Sequence, residues 1–161
     1  MVTLRRIEQG DNLELAQIIR TSLEDLGYAL EGTVYTDPNT DRMFSCYQSV
    51  GTAYWIAEEN GKLIGGSGIG RLECEGEVCE VCELQRMFLT SDSRGKGIGW
   101  MLMKNCLEFA KQSGYERIYL ETFPKMPGAL KLYERSGFRY IGQSLGKTGH
   151  FSCSVFMIRD L

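Results

Sequence analysis

The sequence predicts an α/β domain (α+β) in which a mixed, mostly antiparallel sheet is flanked by helices. A strong hairpin signal, Asn60-Gly61, lies between two apolar runs and predicts an antiparallel strand pair. Farther along the chain, apolar runs alternate with helical patterns, an order that brings two strands together in parallel. With 161 residues the chain can bury about two-thirds of its unfolded surface, so we expect one domain spanning residues 1–161.

The N-terminal part predicts a strand followed by a helix. Residues from Thr3 to Ile7 alternate in polarity as a strand does. Asp11 and Glu14 then have the spacing of a capping box ahead of an amphipathic helix, which we expect to close at Gly27.

Between this helix and the hairpin the sequence is rich in turn residues. We expect a loop over 28–45 and a short helix from Phe44 to Val50. The hairpin strands are predicted from Ala53 to Glu58 and from Lys62 to Gly66.

A glycine series runs through and beyond the second hairpin strand, at Gly65, Gly66, Gly68 and Gly70. No helix follows it, and its spacing does not match a dinucleotide-binding turn. We therefore expect bulges or a close backbone approach at these positions.

The strand predicted from Val78 to Leu89 leads into the most informative stretch of the chain, Arg94-Gly95-Lys96-Gly97-Ile98-Gly99. Alternating glycines let a backbone approach a ligand closely, and the helix that follows leaves its first N–H groups unpaired. The helix dipole and the two basic side chains favour an anion, so this turn predicts a site for pyrophosphate.

The C-terminal half continues with helix, strand, helix and strand. One apolar face supports the first helix, which Gly114 ends, and it carries Ile98, Met101, Leu102, Cys106, Phe109 and Ala110. A strand is predicted from Arg117 to Thr122, a helix from Pro127 to Ser136, and a closing strand from Phe151 to Ile158.

Composition excludes several function classes. A formal net charge of −3 with one histidine provides no basic stripe, so we expect no nucleic-acid partner. No apolar run is long enough to span a membrane, and the start of the chain is too polar for a signal peptide, so we expect no membrane association and a cytoplasmic location.

The six cysteines raise the question of a metal site or a disulfide, because Cys74, Cys79 and Cys82 lie close together. On the predicted strand, Cys79 and Cys82 point to opposite faces and cannot hold one ion together. We therefore expect reduced, partly buried cysteines and no metal.

Three segments together resemble the GNAT (GCN5-related N-acetyltransferase) family, in particular a subgroup of small bacterial members. The turn at Arg94 matches the family's acyl-CoA motif, Gln/Arg-x-x-Gly-x-Gly/Ala. Leu120-Glu121-Thr122 matches a second segment, and the run from Ala129 to Phe138 is similar to Ala-x-x-Leu-Tyr-x-x-x-Gly-Phe.

The resemblance implies a sheet splayed at its middle, with acetyl-CoA as co-substrate and a primary amine of a small molecule or peptide as acceptor. It implies direct attack in a ternary complex, allows a homodimer, and assigns acceptor specificity to the loop over 28–45. A plain connecting loop is the structural alternative there. The residues expected to bind the cofactor are Met87, Phe88, Leu89, Arg94, Gly95, Lys96, Gly97, Ile98, Gly99 and Trp100.

The resemblance also assigns catalytic roles. An alkylamine has a pKa near about 10.4, so its attack at neutral pH needs a proton acceptor. Glu83 occupies the place of the family's base, and Glu121 on the next strand is the alternative. Tyr133 matches the tyrosine that protonates the leaving thiolate. Oxyanion stabilisation is expected from a backbone N–H between Met87 and Leu89.

Two positions remain open at this level. Met126 stands where many relatives carry a cofactor-contacting asparagine. His150 lies in a C-terminal segment similar to the bacterial subgroup and is expected either to line the acceptor pocket or to be structural.

Two other functions compete with the acetyltransferase. A non-catalytic acyl-CoA-binding sensor would keep the glycine turn without needing Glu83, Glu121 or Tyr133. A nicotinamide-dependent oxidoreductase is disfavoured by the glycine spacing.

Overall fold

The computed structural model describes residues 1–74 and 80–161. Seven strands form one sheet in the order β1-β2-β3-β4-β5-β7-β6. The strands are β1 (Val2–Arg6), β2 (Ala53–Glu59), β3 (Lys62–Arg71), β4 (Val81–Leu89), β5 (Arg117–Thr122), β6 (Arg139–Ile141) and β7 (Val155–Asp160). The α-helices are α1 (Asn12–Asp25), α2 (Met43–Cys46), α3 (Ile98–Gln112) and α4 (Pro127–Arg135), and 3-10 turns cover Gln9–Asp11, Pro38–Asp41 and Ser91–Ser93.

The sheet is antiparallel except where β4 and β5 run side by side in parallel. These two strands pair at only three positions, the last of which joins Glu83 to Tyr119. β4 then continues to Leu89 without β5 beside it. The predicted mixed, mostly antiparallel sheet is therefore confirmed, and its splayed centre lies between β4 and β5.

Helices cover both faces of the sheet. α1 packs against β3 and β4, and α3 packs against β2, β3 and β4. Neighbouring residues of β2 belong to different cores, because Ile56 joins the cluster under α1 whereas Ala57 joins the cluster under α3. Since successive strand residues point to opposite faces, the two helices lie on opposite sides of the sheet.

The predicted hairpin is present, with Asn60 (φ 54°) and Gly61 (φ 77°) at its turn. Its second strand, however, continues through the glycine series to Arg71. A Cβ at Gly66 or at Gly68 would lie 2.5 Å from the ring of Tyr54. The expected close approach is thus confirmed, and one reason for it is space for a buried tyrosine side chain.

Several predicted boundaries were wrong. The helix expected from Phe44 to Val50 is the single turn of α2, and the closing strand begins at Val155 instead of Phe151. The short strand β6 was missed, because three largely exposed residues carry no periodic signal. Val78, at the start of the strand predicted to reach Leu89, lies outside the described residues.

The predicted capping box is also shifted toward the N-terminus. Asp11 accepts a hydrogen bond from the backbone N–H of Glu8 (2.7 Å), whereas its side chain caps no N–H of α1. Arg5 fixes the Asp11 carboxylate with two hydrogen bonds of 2.8 Å. The residues that meet are therefore Glu8 and Asp11, because the 3-10 turn precedes the α-helix.

The cysteine prediction holds only in part. Cys46, Cys82, Cys106 and Cys153 are free thiols. Cys74 is disulfide-bonded, so the expectation of reduced cysteines was wrong for this residue. Cys79 lies outside the described residues. Over residues 1–74 and 80–161, no group of three or more metal-ligating side chains is close enough to hold an ion.

In the same ranges, no helix has both the length and the apolar character needed to cross a membrane.

Candidate active site

The glycine turn lies at the mouth of a cleft of about 550 Å³. Gly95 (φ 75°) and Gly97 (φ 79°) adopt left-handed backbone conformations, and α3 begins directly after them at Ile98. A helix start leaves its first N–H groups without intrahelical partners. The turn therefore presents unpaired donors at the positive end of a 15-residue helix, an arrangement that suits a phosphate.

Most residues expected to bind the cofactor line this cleft, namely Met87, Phe88, Leu89, Arg94, Gly95, Gly97, Gly99 and Trp100. Two expected residues do not. Lys96 is exposed to solvent beside the cleft, and the Ile98 side chain is buried in the core with Leu102. Ile98 can therefore contribute only its backbone to a ligand in the cleft.

Two cations in the cleft were missed at the sequence level. Lys131 and Arg135, one helical turn apart on α4, line the same cleft as the glycine turn. Their spacing of four residues on an amphipathic helix was the available signal, because such residues share one face. Together with Arg94 they give the cleft a positive rim.

A second cavity occupies the splay between β4 and β5. Glu83, Glu121, Tyr133 and His150 all line it, so the structure brings together every residue predicted for catalysis. Three further residues, Met87, Phe88 and Met126, line both this cavity and the cofactor cleft. The two spaces therefore adjoin at the end of β4.

Glu83 is a buried carboxyl group with few polar partners. The residue is 6% exposed, and its Oε1 accepts one hydrogen bond from Nε2 of Gln85 at 2.8 Å. Burial raises the pKa of Glu83 to about 7, the Gln85 hydrogen bond opposes the rise, and the negative charge of Glu121 adds to it. Near neutral pH this group can both accept and release a proton.

Glu121 has a different environment. Its two oxygens accept hydrogen bonds from the hydroxyls of Tyr119 and Thr148, each at 2.8 Å. The Tyr119 hydroxyl in turn accepts from the backbone N–H of Leu145 at 3.0 Å. Glu121 thus connects β5 to the segment that carries His150.

Tyr133 enters the cavity from α4 and is 6% exposed. Its ring contacts Phe138 edge to face, with centroids 6.1 Å apart. Burial raises the pKa of Tyr133 above that of an ordinary phenol, so the hydroxyl stays protonated at physiological pH. Among the described residues none hydrogen-bonds the Tyr133 hydroxyl, which leaves it available to a ligand in the cavity.

The backbone of β4 changes course beside this cavity. The register between β3 and β4 shifts between Gly66 and Gly68, and Arg86 on the opposite strand has φ 49°. The hydroxyl of buried Tyr54 donates to the carbonyl of Arg86 at 2.7 Å and fixes the bulge. Beyond Glu83 this part of β4 also has no β5 neighbour. Backbone N–H groups between Met87 and Leu89 can therefore face a ligand.

One cluster was not anticipated from the sequence. Oδ2 of Asp37 accepts from NH2 of Arg86 and contacts Nε2 of His150, both at 2.9 Å. Burial works to raise the pKa of Asp37, but hydrogen bonds from His150 and the Asn39 N–H, with the charge of Arg86, lower it below the usual range. His150 thus lines the cavity between β4 and β5 and is paired there with a carboxylate.

The family model described as "Acetyltransferase (GNAT) family" matches residues 16–138. The Escherichia coli (strain K12) protein named "Uncharacterized N-acetyltransferase YjgM" is 38% identical over 159 residues, which are 98% of this chain and 94% of that protein.

Solved structures show the same fold. A GNAT-family acetyltransferase of Staphylococcus aureus superposes with a TM-score of 0.85 at 22% identity, covering 100% of this chain and 99% of the other. The phosphinothricin acetyltransferase of Sinorhizobium meliloti, solved with acetyl-CoA, superposes with a TM-score of 0.77 at 25% identity, covering 99% of this chain and 88% of the other.

Proposed function

Because the chain belongs to the acetyltransferase (GNAT) family, we propose that it transfers the acetyl group of acetyl-CoA to a primary amine by direct attack in a ternary complex. One observation carries the proposal. The cofactor cleft and the cavity of Glu83 adjoin at Met87, Phe88 and Met126. A thioester extending along the cleft would therefore reach a buried carboxyl group poised near neutral pH.

The cleft fits the polar part of coenzyme A. Two left-handed glycines and the start of α3 provide backbone donors, and Arg94, Lys131 and Arg135 provide positive charge. Arg94 is already oriented, because its Nε donates to the carbonyl of Leu89 and its NH2 donates to Ser22, both at 3.2 Å. These residues would hold the phosphates, while the apolar side chains of β4 and α4 would flank the pantetheine arm.

Glu83 acts as the base in the proposed mechanism. It removes a proton from the bound ammonium group and leaves a neutral amine with a free electron pair. Glu121 is the weaker candidate, because both its oxygens are engaged by hydroxyl donors and it serves to position the segment around Thr148.

Acetyl-CoA supplies the thioester carbonyl carbon that the amine attacks. As the C–N bond forms, an N–H group between Met87 and Leu89 stabilises the negative charge on the carbonyl oxygen. The C–S bond then breaks, and the hydroxyl of Tyr133 donates its proton to the departing thiolate. The amine nitrogen loses its remaining extra proton, which restores the tyrosine through solvent.

We further propose a small molecule or a peptide as acceptor and the cytoplasm as the place of action. A small acceptor is favoured because Glu83 is only 6% exposed and lines the cavity between β4 and β5. The net charge of −3 favours acceptors other than nucleic acid.

Incubation of the protein with acetyl-CoA and pooled amines tests the proposal. We expect release of free CoA thiol and a product that is heavier than one amine by an acetyl group, detected by mass spectrometry. Tight binding of acetyl-CoA without turnover of any amine would instead support a non-catalytic acyl-CoA-binding sensor.

A further inference from the structure

Resting on the proposed function, we propose that the acceptor is a small amino acid whose carboxylate binds the guanidinium of Arg86 while its amine faces Glu83. The acceptor would occupy a polar pocket of about 340 Å³ that both residues line.

Arg86 is held in an unusual backbone conformation. Only Asn60 and Arg86 have positive φ among the non-glycine residues of the described ranges, and Asn60 is explained by its hairpin turn. A left-handed backbone conformation is unfavourable for a residue with a Cβ. Such strain persists where the surrounding structure enforces it, and it is concentrated at functional sites. Here the hydrogen bond from Tyr54 to the Arg86 carbonyl enforces it.

The side chain of Arg86 is 6% exposed and incompletely paired. NH2 donates to Asp37 at 2.9 Å, and NH1 donates to the hydroxyl of Tyr47 at a long 3.4 Å. In the described parts of the chain, Nε of Arg86 is the only buried side-chain nitrogen or oxygen that has no hydrogen-bond partner. A buried donor without a partner is unfavourable, more so on a charged group, and a hydrogen bond to a ligand oxygen would remove this cost.

The neighbours of Arg86 connect it to the proposed base. Tyr47 accepts from Arg86 and donates to Oε1 of Gln85 at 2.8 Å, and Gln85 donates to Glu83 at 2.8 Å. Arg86 and Glu83 are therefore the two ends of one hydrogen-bonded chain beside the pocket. A molecule lying along this chain would present an anion to one end and an ammonium group to the other.

The charge of the pocket favours a carboxylate over a phosphate. Arg71, Arg86 and Lys147 contribute positive charge, while Asp37, Glu73 and Glu83 contribute carboxyl groups. This balance suits a zwitterion, and three carboxyl groups would repel a doubly charged phosphate. Nε of Arg86 is buried from the surface of this pocket. The guanidinium would therefore turn from Tyr47, its longest contact, to receive the carboxylate.

The test compares each of several L-amino acids with its amide and with the amine that lacks the carboxylate, in the wild-type protein with saturating acetyl-CoA. We expect kcat/KM for the amino acid to exceed that of both analogues at least tenfold. Equal or better turnover of the analogues would overturn the inference while leaving the proposed function intact. Failure of every amine would overturn the proposed function itself.

A variant assigns the preference to Arg86. Arg86→Lys keeps the positive charge, and because lysine also has a Cβ, its backbone preference is similar. The variant loses the planar set of N–H donors of the guanidinium group. We expect the tenfold preference of the amino acid over its amide to disappear, chiefly through a higher KM for the amino acid. Arg139→Lys is the matched control, because Arg139 pairs with exposed Asp160 at the far edge of the sheet. A preference that survives in folded Arg86→Lys would overturn the inference.

A binding measurement keeps the inference testable if Arg86→Lys does not fold. Calorimetry on the wild-type protein with CoA present compares carboxylates that lack the amine with neutral amides of the same shape. We expect the carboxylates to bind and to compete with the amino acid substrate. Equal affinity for carboxylate and amide would overturn the inference.

Discussion

Glu83 lies opposite Tyr119 in the parallel register of β4 and β5, which places Glu121 two residues farther along β5 on the same face. Two carboxyl groups thus face one cavity, and the charge of Glu121 helps to raise the pKa of Glu83 to about 7. The two carboxyl groups differ in their hydrogen-bond partners. Glu83 receives one amide donor, whereas Glu121 receives two hydroxyl donors.

The first prediction concerns the pH dependence of turnover. With a pKa of about 7, Glu83 is increasingly protonated below neutrality, so wild-type kcat/KM should fall on the acidic side with an apparent pKa near that value. Glu83→Gln should lose this acidic limb and lower the rate about 100-fold at pH 7. The residual rate should rise with pH as free amine forms. Glu121→Gln is the control and should keep the limb. An unchanged profile in folded Glu83→Gln would exclude Glu83 as the base.

The second prediction concerns stability, since the same carboxyl group is protonated more easily in the folded state. Its pKa rises from 4.5 to about 7, so its contribution to stability is fully present below about pH 4.5 and is lost as the pH rises through 7. This difference corresponds to about 3 kcal/mol. Glu83→Gln should therefore melt at a higher temperature than the wild type at pH 8.5, and the gain should shrink toward pH 5. Calorimetric melts at both values check the sign, and a gain that does not depend on pH would contradict it.

The third prediction separates chemistry from binding at Tyr133. Tyr133→Phe removes only the hydroxyl and should lower kcat about 100-fold, while the affinity for CoA stays within twofold. The interaction is made chiefly as the thiolate departs. Tyr140→Phe is a suitable control, because the Tyr140 hydroxyl donates to Glu134 on an exposed surface. Stopped-flow turnover and calorimetric CoA binding distinguish the outcomes. A variant with wild-type kcat would remove Tyr133 from the mechanism.

The fourth prediction tests the glycine turn as a phosphate site. Gly97→Val places a branched side chain at φ 79° beside the cleft and should weaken CoA binding at least tenfold, or about 1.4 kcal/mol. Gly114→Val is closely matched, since Gly114 has φ 83° and open space around it at the other end of α3. The two variants should lose similar stability, but only the first should lose CoA affinity. Equal affinities in the two would remove the turn from the binding site.

Local signals accounted for much of the fold. The Asn60-Gly61 turn was predicted correctly from turn chemistry. The order β4, α3, β5, α4 was also predicted correctly, because it depends on periodicity within short windows of sequence. The three-residue strand β6 has no such window. β6 forms because it pairs with β7, and this pairing depends on the tertiary structure.

The candidate site was likewise predicted only in part. The positions of Glu83, Tyr133 and the glycine turn followed from motifs, and the structure brings the two side chains into one cavity. The Asp37–His150 contact joins residues 113 positions apart and has no local signal. The positive φ of Arg86 depends on a register shift against β3, and a single sequence does not reveal register at that level.

The glycines of β3 have a consequence for the entropy of folding. Each glycine loses more backbone freedom on folding than an alanine would, at a cost of about 0.5–1 kcal/mol. Four of them in one central strand amount to about 2–4 kcal/mol, in a domain whose whole stability is expected to be about 5–15 kcal/mol. Yet a methyl group at Gly66, Gly68 or Gly70 would collide with Tyr54 or Gln85, so the cost is not removed by simple substitution. A programme to make this protein more heat-resistant should therefore leave β3 unchanged and seek its gains on the outer faces of α1 and α3.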